Sequence, residues 1–199
     1  MPELTEIVSA IRRCRVCVEA PRGRPLPHEP RPVLRVSTAA RLAICGQAPG
    51  TRVHRSGKPF TDPSGDRLRS WLNMSPELFY DEARIAIIPM GFCFPGTGKS
   101  GDLPPRPECA EAWREQLLNL LPKIELTLVI GQYAHKYHLA NDQKKTLTET
   151  VKAWKEYWNK GLLPLPHPSP RNNIWLRNNA WFEKAILPTL KSRVKNLIK

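Results

Sequence analysis

Apolar positions recur along this chain in two rhythms. Short unbroken runs read as buried strands, and runs spaced three and four apart read as helices. Leu42-Ala43-Ile44-Cys45 is a four-residue apolar run bounded by glycine, too brief for a helix. Similar runs span Arg84–Ile88, Leu126–Gly131 and Leu162–Leu165, which gives four predicted core strands. Helical spacing appears over 3–13 through Leu4, Ile7, Val8 and Ile11, and over about 64–73 through Leu68, Trp71 and Leu72. It returns over 111–121, about 132–139, 146–158 and 179–198, where Pro188 should kink or split the last helix. Ser75 followed by Pro76 predicts a capped short helix through Tyr80. Strands alternating with helices define an α/β protein. The expected fold is a three-layer α/β/α sandwich around a central, mainly parallel four-stranded sheet, as one domain over residues 1–199.

Two of these strands empty into proline-stiffened loops. The first delivers Gly46-Gln47-Ala48-Pro49-Gly50 and then, past a charged turn, Pro59-Phe60-Thr61-Asp62. The strand 162–165 delivers Pro166-His167-Pro168-Ser169-Pro170-Arg171-Asn172. A rigid loop at a strand's carboxyl end, with an aromatic and carboxylates beyond it, is how an α/β sheet builds a pocket. The chain carries 31 Lys and Arg against 18 acids, a net charge of +13, which favours a polyanion partner over a merely soluble basic surface. No apolar run of about 18 residues exists. The opening Met1-Pro2-Glu3-Leu4-Thr5-Glu6 lacks a secretion signal's basic and then apolar pattern, so no membrane contact and a cytoplasmic location are expected.

Five cysteines in a reducing compartment point to thiols or metal ligands. Cys14-x-x-Cys17, with Cys93 and Cys109 separated by fifteen residues, is a plausible four-thiolate set suited to zinc or to an iron–sulfur cluster. The gap is unlike a zinc ribbon's second Cys-x-x-Cys, and Cys45, inside a strand, reads as a small buried residue.

Together the two loops resemble the paired active-site motifs of the uracil-DNA glycosylase superfamily. Gly46–Gly50 is similar to the first motif and His167-Pro168-Ser169 to the second, and Phe60 falls where those enzymes stack an aromatic on the flipped base. The cysteine spacing resembles the iron–sulfur branches, families four and five. The resemblance implies a monomeric, monofunctional glycosylase that flips uracil from DNA and hydrolyses its N-glycosidic bond. It also implies a structural [4Fe–4S] cluster on Cys14, Cys17, Cys93 and Cys109. His167 would donate a hydrogen bond to uracil O2, while the backbone of Gly46, Gln47 and Ala48 would line the base site. Pro89 stands where family four carries a base-reading asparagine, so backbone groups near Gly91 and Phe92 would read the uracil edge, and hypoxanthine or xanthine become candidate substrates. Ser169, Gln132, Arg52, Lys58, Arg171 and Asn172 are the expected DNA contacts.

The water-handling acid departs from the pattern. Families one and four place Asp or Glu in the first loop, where this chain has Gln47 and Ala48. The run Phe60-Thr61-Asp62-Pro63-Ser64-Gly65-Asp66 resembles family five's Phe-Thr-Gly-Asp-x-Ser-Gly-Asp, one residue shorter, and makes Asp62 the expected catalytic carboxylate. A DNA-binding protein that holds uracil or abasic sites without cleavage is the rival reading. A covalent uracil-DNA binder uses a histidine-bearing basic insertion, and no histidine occurs between Cys93 and Cys109.

Overall fold

The computed structural model of the protein describes residues 3–199. Its strands in chain order are β1 (Leu42–Cys45), β2 (Ile85–Ile87), the two-residue pair β3 (Thr97–Gly98) and β4 (Gly101–Asp102), β5 (Leu126–Ile130) and β6 (Leu162–Leu165). The helices of the first half are α1 (Leu4–Arg12), α2 (Val16–Glu19), α3 (Thr51–Ser56), α4 (Pro63–Leu72) and α5 (Pro76–Phe79). Those of the second half are α6 (Pro107–Asn119), α7 (Gln132–Leu139), α8 (Leu147–Lys152), α9 (Trp154–Trp158), α10 (Asn173–Asn178) and α11 (Leu187–Leu197).

Four strands form one all-parallel sheet in the order β2-β1-β5-β6, as the alternation of strands and helices requires. Leu42 sits opposite both Ile85 and Leu126, and Thr127 opposite Leu162. Period-two alternation sorts the strand side chains between two cores. Leu42, Ile44, Ile87, Leu128 and Leu163 pack on one face against Leu68 and Trp71 of α4 and Leu190 and Val194 of α11. The smaller Ala43, Cys45 and Ala86, with Ile88, meet Ile7 and Ile11 of α1 and Leu117 of α6 on the other.

Several boundaries differ from the sequence expectation. The 146–158 helix is split into α8 and α9 around Ala153. The last helical region opens with a π-helical turn at Phe182–Ile186, and Pro188 sits in the first turn of α11, where its missing N–H costs nothing. Helix α6 starts four residues earlier than its apolar periodicity, at Pro107, and so carries Cys109 in its first turn.

The sheet order decides where a site can form. From β1 the chain goes to β2 on one side and later to β5 on the other, so the connections leaving β1 and β5 diverge. The crevice they leave at the strands' carboxyl ends is the usual ligand position in an open α/β sheet.

Candidate active site

A cavity of about 410 Å³ occupies that crevice, bordered by the loop Gly46–Gly50, by Phe60 and Asp62, by Asp102, and by His167, Ser169, Arg171 and Asn172. Loops more than a hundred residues apart in sequence therefore meet at one place, because β1 and β6 flank β5 in the same sheet.

Phe60 is held in a backbone conformation that side-chain-bearing residues rarely adopt, with φ +55°. Its carbonyl accepts from Arg69 Nη1 at 3.2 Å and from Tyr80 Oη at 3.2 Å, and Tyr80 Oη also donates to Pro59 O at 2.8 Å. Gly65 is obligatory in this arrangement, since a Cβ there would overlap the Phe60 carbonyl. The ring lies over Gly46, with Cζ 3.4 Å from where a Cβ would project, and meets Phe79 edge-on at 5.9 Å. One face is thus braced and the ring borders the cavity, as a stacking platform requires.

His167 is fixed through both its backbone and its ring. Asn172 Nδ2 donates to His167 O at 2.7 Å, and Ser169 N–H donates to His167 Nδ1 at 3.2 Å. An Nδ1 that accepts leaves the proton on Nε2, so the imidazole is a neutral ring with one donor to offer. Burial lowers its pKa, with the nearby negative charge of Asp62 opposing. Gly131, at φ +81° in the left-handed region that favours glycine, follows β5 beside the ring, where a Cβ would be in ordinary contact with His167 Cβ and Cδ2. Arg67 of α4, a residue with no distinguishing sequence signal, fastens this loop by donating to Ser169 O at 3.0 Å and Asn173 Oδ1 at 2.7 Å.

Asp62 borders the cavity and also caps α4, its Oδ1 accepting from Gly65 N at 3.1 Å. A second carboxylate, Asp102 of β4, borders the same cavity and was not a sequence candidate. It is open to solvent at the mouth, yet desolvation raises its pKa, opposed by Arg171 and reinforced by Asp62. The hairpin carrying it is tied to the second loop, because Arg171 Nη1 donates to Ser100 O at 3.3 Å.

Other expected contacts are distributed unevenly. Gly46, Gln47, Ala48 and Ser169 border the cavity with Phe60, whereas Gly91 and Phe92 do not. Gly91 N–H is spent on Gln47 O at 3.0 Å and Phe92 N–H on Cys109 Sγ at 3.3 Å, and the Phe92 ring is packed into the α1/α6 core. Both N–H groups are thus bonded within the fold in this arrangement. Arg52 and Gln132 are exposed, as is Lys58, whose Nζ sits 3.8 Å above the Tyr80 ring. Arg171 and Asn172 edge the cavity. His54 pairs with His28, ring centroids 4.2 Å apart, and burial followed by the charges of His28 and Arg31 depresses its pKa. Beneath the floor, buried Arg114 donates to Pro89 O at 2.9 Å and lies 2.6 Å from His138 Nε2.

Cys14, Cys17, Cys93 and Cys109 line one small cavity on the α1/α6 face, with Phe92 and Trp113. Trp113 Nε1–H donates to Cys14 Sγ at 3.1 Å. Burial pushes the thiols up, Cys17 to about 11 and Cys93 and Cys109 to about 12, so they hold their protons unless a cation is present. Among the described residues no group of three or more His, Cys, Asp or Glu side chains is drawn together tightly enough for a single ion. Cys45 is separate, buried on the sheet face beside Arg114.

The sequence pattern described as the Uracil DNA glycosylase superfamily matches residues 35–191, and the chain belongs to that superfamily. Membership places it in the DNA-glycosylase class of hydrolases, with DNA as the macromolecule acted upon. The matched span contains both cavity loops, Phe60, Asp62, Asp102 and His167, together with Cys93 and Cys109; Cys14 and Cys17 precede it. Among the described residues no helix is long and apolar enough to cross a membrane.

Proposed function

We propose that the protein excises uracil from DNA as a monofunctional, monomeric glycosylase, flipping the nucleotide into the cavity and hydrolysing its N-glycosidic bond to leave an abasic site. The observation that carries this reading is the pairing of a braced aromatic face at Phe60 with a single imidazole donor at His167 on one cavity. Phe60 stacks on the extruded base, contributing about 1–3 kcal/mol. His167 Nε2–H donates to the base oxygen as negative charge develops there, and a preorganised donor aimed at forming charge is the largest single lever available to such a site. Asp62 places negative charge beside the sugar as it becomes cationic. The exposed Arg52, Lys58 and Arg171, with Gln132, Asn172 and Ser169, track the phosphates, so binding weakens steeply with salt.

The base edge faces no dedicated polar side chain at Pro89, so hypoxanthine and xanthine belong in any substrate panel beside uracil. For the cysteines, a [4Fe–4S] cluster is the reading we favour over zinc. The fifteen-residue gap between Cys93 and Cys109 is unlike a zinc ribbon's second Cys-x-x-Cys, and the four cysteines border one small cavity. The N–H groups of Trp113 and Phe92 already donate to two of the sulfurs, which suits anionic thiolates. Such a cluster supplies iron–thiolate cross-links that tie the N-terminal turn to α6, and no step of the hydrolysis passes through it. Incubation with an oligonucleotide bearing one uracil, followed by hot alkali, tests the activity. Scission at the uracil supports it, and binding without scission favours the catalytically silent DNA-binding rival.

A further inference from the structure

We infer that Asp102, carried to the cavity by the β3–β4 hairpin, holds the attacking water and takes its proton, while Asp62 serves as helix cap and charge beside the sugar. This assignment rests on the cavity being a uracil-excision site. The loop Gly46–Gly50 offers no acid, and the carboxylates bordering the cavity are Asp62 and Asp102. One oxygen of Asp62 is committed to Gly65 N–H at 3.1 Å, which aims the group along α4. No protein donor among the described residues hydrogen-bonds the Asp102 carboxylate, so both of its oxygens remain for water. Asp102 Oδ2 lies against the end of the first loop, 3.2 Å from the position a Cβ at Gly50 would take. The hairpin thus brings an acid to a loop that has none of its own.

Its position is maintained from the second loop. Arg171 donates to Ser100 O, and Gly101, at φ +132°, has no Cβ that would overlap the guanidinium. The element bearing His167 therefore holds the element bearing Asp102. Asp62 and Arg171 are the charges that act on Asp102, in opposite senses, and burial raises its proton affinity above that of a free aspartate. DNA docked across the mouth removes solvent from Asp102 and brings phosphates near, both of which raise that affinity further.

In the step itself the water oxygen forms a bond to C1′ and Asp102 accepts the water proton. The C1′–N1 bond breaks with its electron pair moving to uracil, whose O2 takes the His167 hydrogen bond. The proton then leaves Asp102 for the departed base or solvent, which restores the carboxylate.

Single-turnover excision by wild type, Asp102→Asn, Asp102→Glu and Asp62→Asn, from about pH 4.5 to 8, tests the assignment. Binding to DNA carrying an uncleavable uracil analogue is measured alongside. Wild type should slow at the acid end as Asp102 protonates. Asp102→Asn should fall by about 10²–10⁴-fold and lose that acid limb. It should bind at least as tightly as wild type, because one negative charge facing DNA is gone. Asp102→Glu should recover part of the rate with the limb, and Asp62→Asn should keep the limb. An Asp102→Asn rate within about threefold of wild type, or one that retains the acid limb, overturns the assignment while leaving the excision reading intact. Absence of uracil release by wild type removes that reading and this one with it.

Discussion

Replacing His167 with alanine removes its donor to the leaving base and also the acceptor of Ser169 N–H, and the first loss sets a calculable minimum cost. Nδ1 already accepts from Ser169 N–H, so the ring has a single donor, Nε2–H, to give to the leaving base. Loss of one preorganised donor to a developing oxyanion costs about 10²–10³ in rate, or roughly 2.7–4 kcal/mol. His167→Ala should therefore lower single-turnover excision of uracil by about that factor, while affinity for uncleavable uracil DNA changes little. The pH profile carries a second signature. Burial, opposed by Asp62, holds the imidazole pKa below its ordinary value of 6.5, so the ring stays neutral at and above that pH and the wild-type rate should be level from about pH 6.5 to 8. An imidazolium acting as a proton donor would instead give a rate that falls as pH rises through the histidine pKa. A falling profile, or a His167→Ala rate within about threefold of wild type, refutes the neutral-donor role.

Phe60→Ala should weaken binding of DNA with a flipped uracil analogue by about 1–3 kcal/mol, read by fluorescence anisotropy, with a smaller effect on undamaged DNA. Anaerobically purified protein should absorb near 400 nm (roughly the range of iron–sulfur charge transfer) and contain iron. Cys109→Ser should lose both features and lower the melting temperature. Acid should destabilise the fold through His135, whose Nε2 lies 3.0 Å from Val129 O and 3.1 Å from Leu165 O, and whose pKa burial lowers to about 4. Because the folded value lies below the unfolded one near 6.5, the stabilisation is complete above pH 6.5 and is lost as pH falls toward 4. Its full size is about 3 kcal/mol in the unfolding free energy, and His135→Gln should flatten that part of the profile.

Much of the scaffold was legible because its signals are local. Leu42–Cys45 and Leu162–Leu165 are unbroken apolar runs ending at glycine or proline, and both are strands within those bounds. Ser75 announces a cap by its own chemistry, which occurs, and at Pro188 the expected kink or split takes the form of a change from π- to α-helical turns just before it. What escaped lacks such a local signal. Helix α3 buries only Val53 and has no apolar face to reveal it. The β3–β4 hairpin is two residues a side, built from Thr97, Gly98, Gly101 and Asp102, so no alternation can develop to mark Asp102 as part of a strand. Arg67 and Arg114 carry no distinguishing sequence signal, yet one fastens the His167 loop and the other lies buried under Pro89. The Phe92 ring likewise carries no local signal, since a glycine-flanked aromatic is equally at home in a pocket or a core and its packing on the cysteine face is set by tertiary contacts.

Excision by this protein requires that free uracil leave the DNA. Mass spectrometry of the small-molecule fraction, after wild-type protein is incubated with a single-uracil oligonucleotide, reads this without relying on strand cleavage. One equivalent of uracil per site, with an abasic strand left behind, is the predicted result. Tight binding of the oligonucleotide with no uracil released, or uracil retained in a covalent adduct, would contradict it.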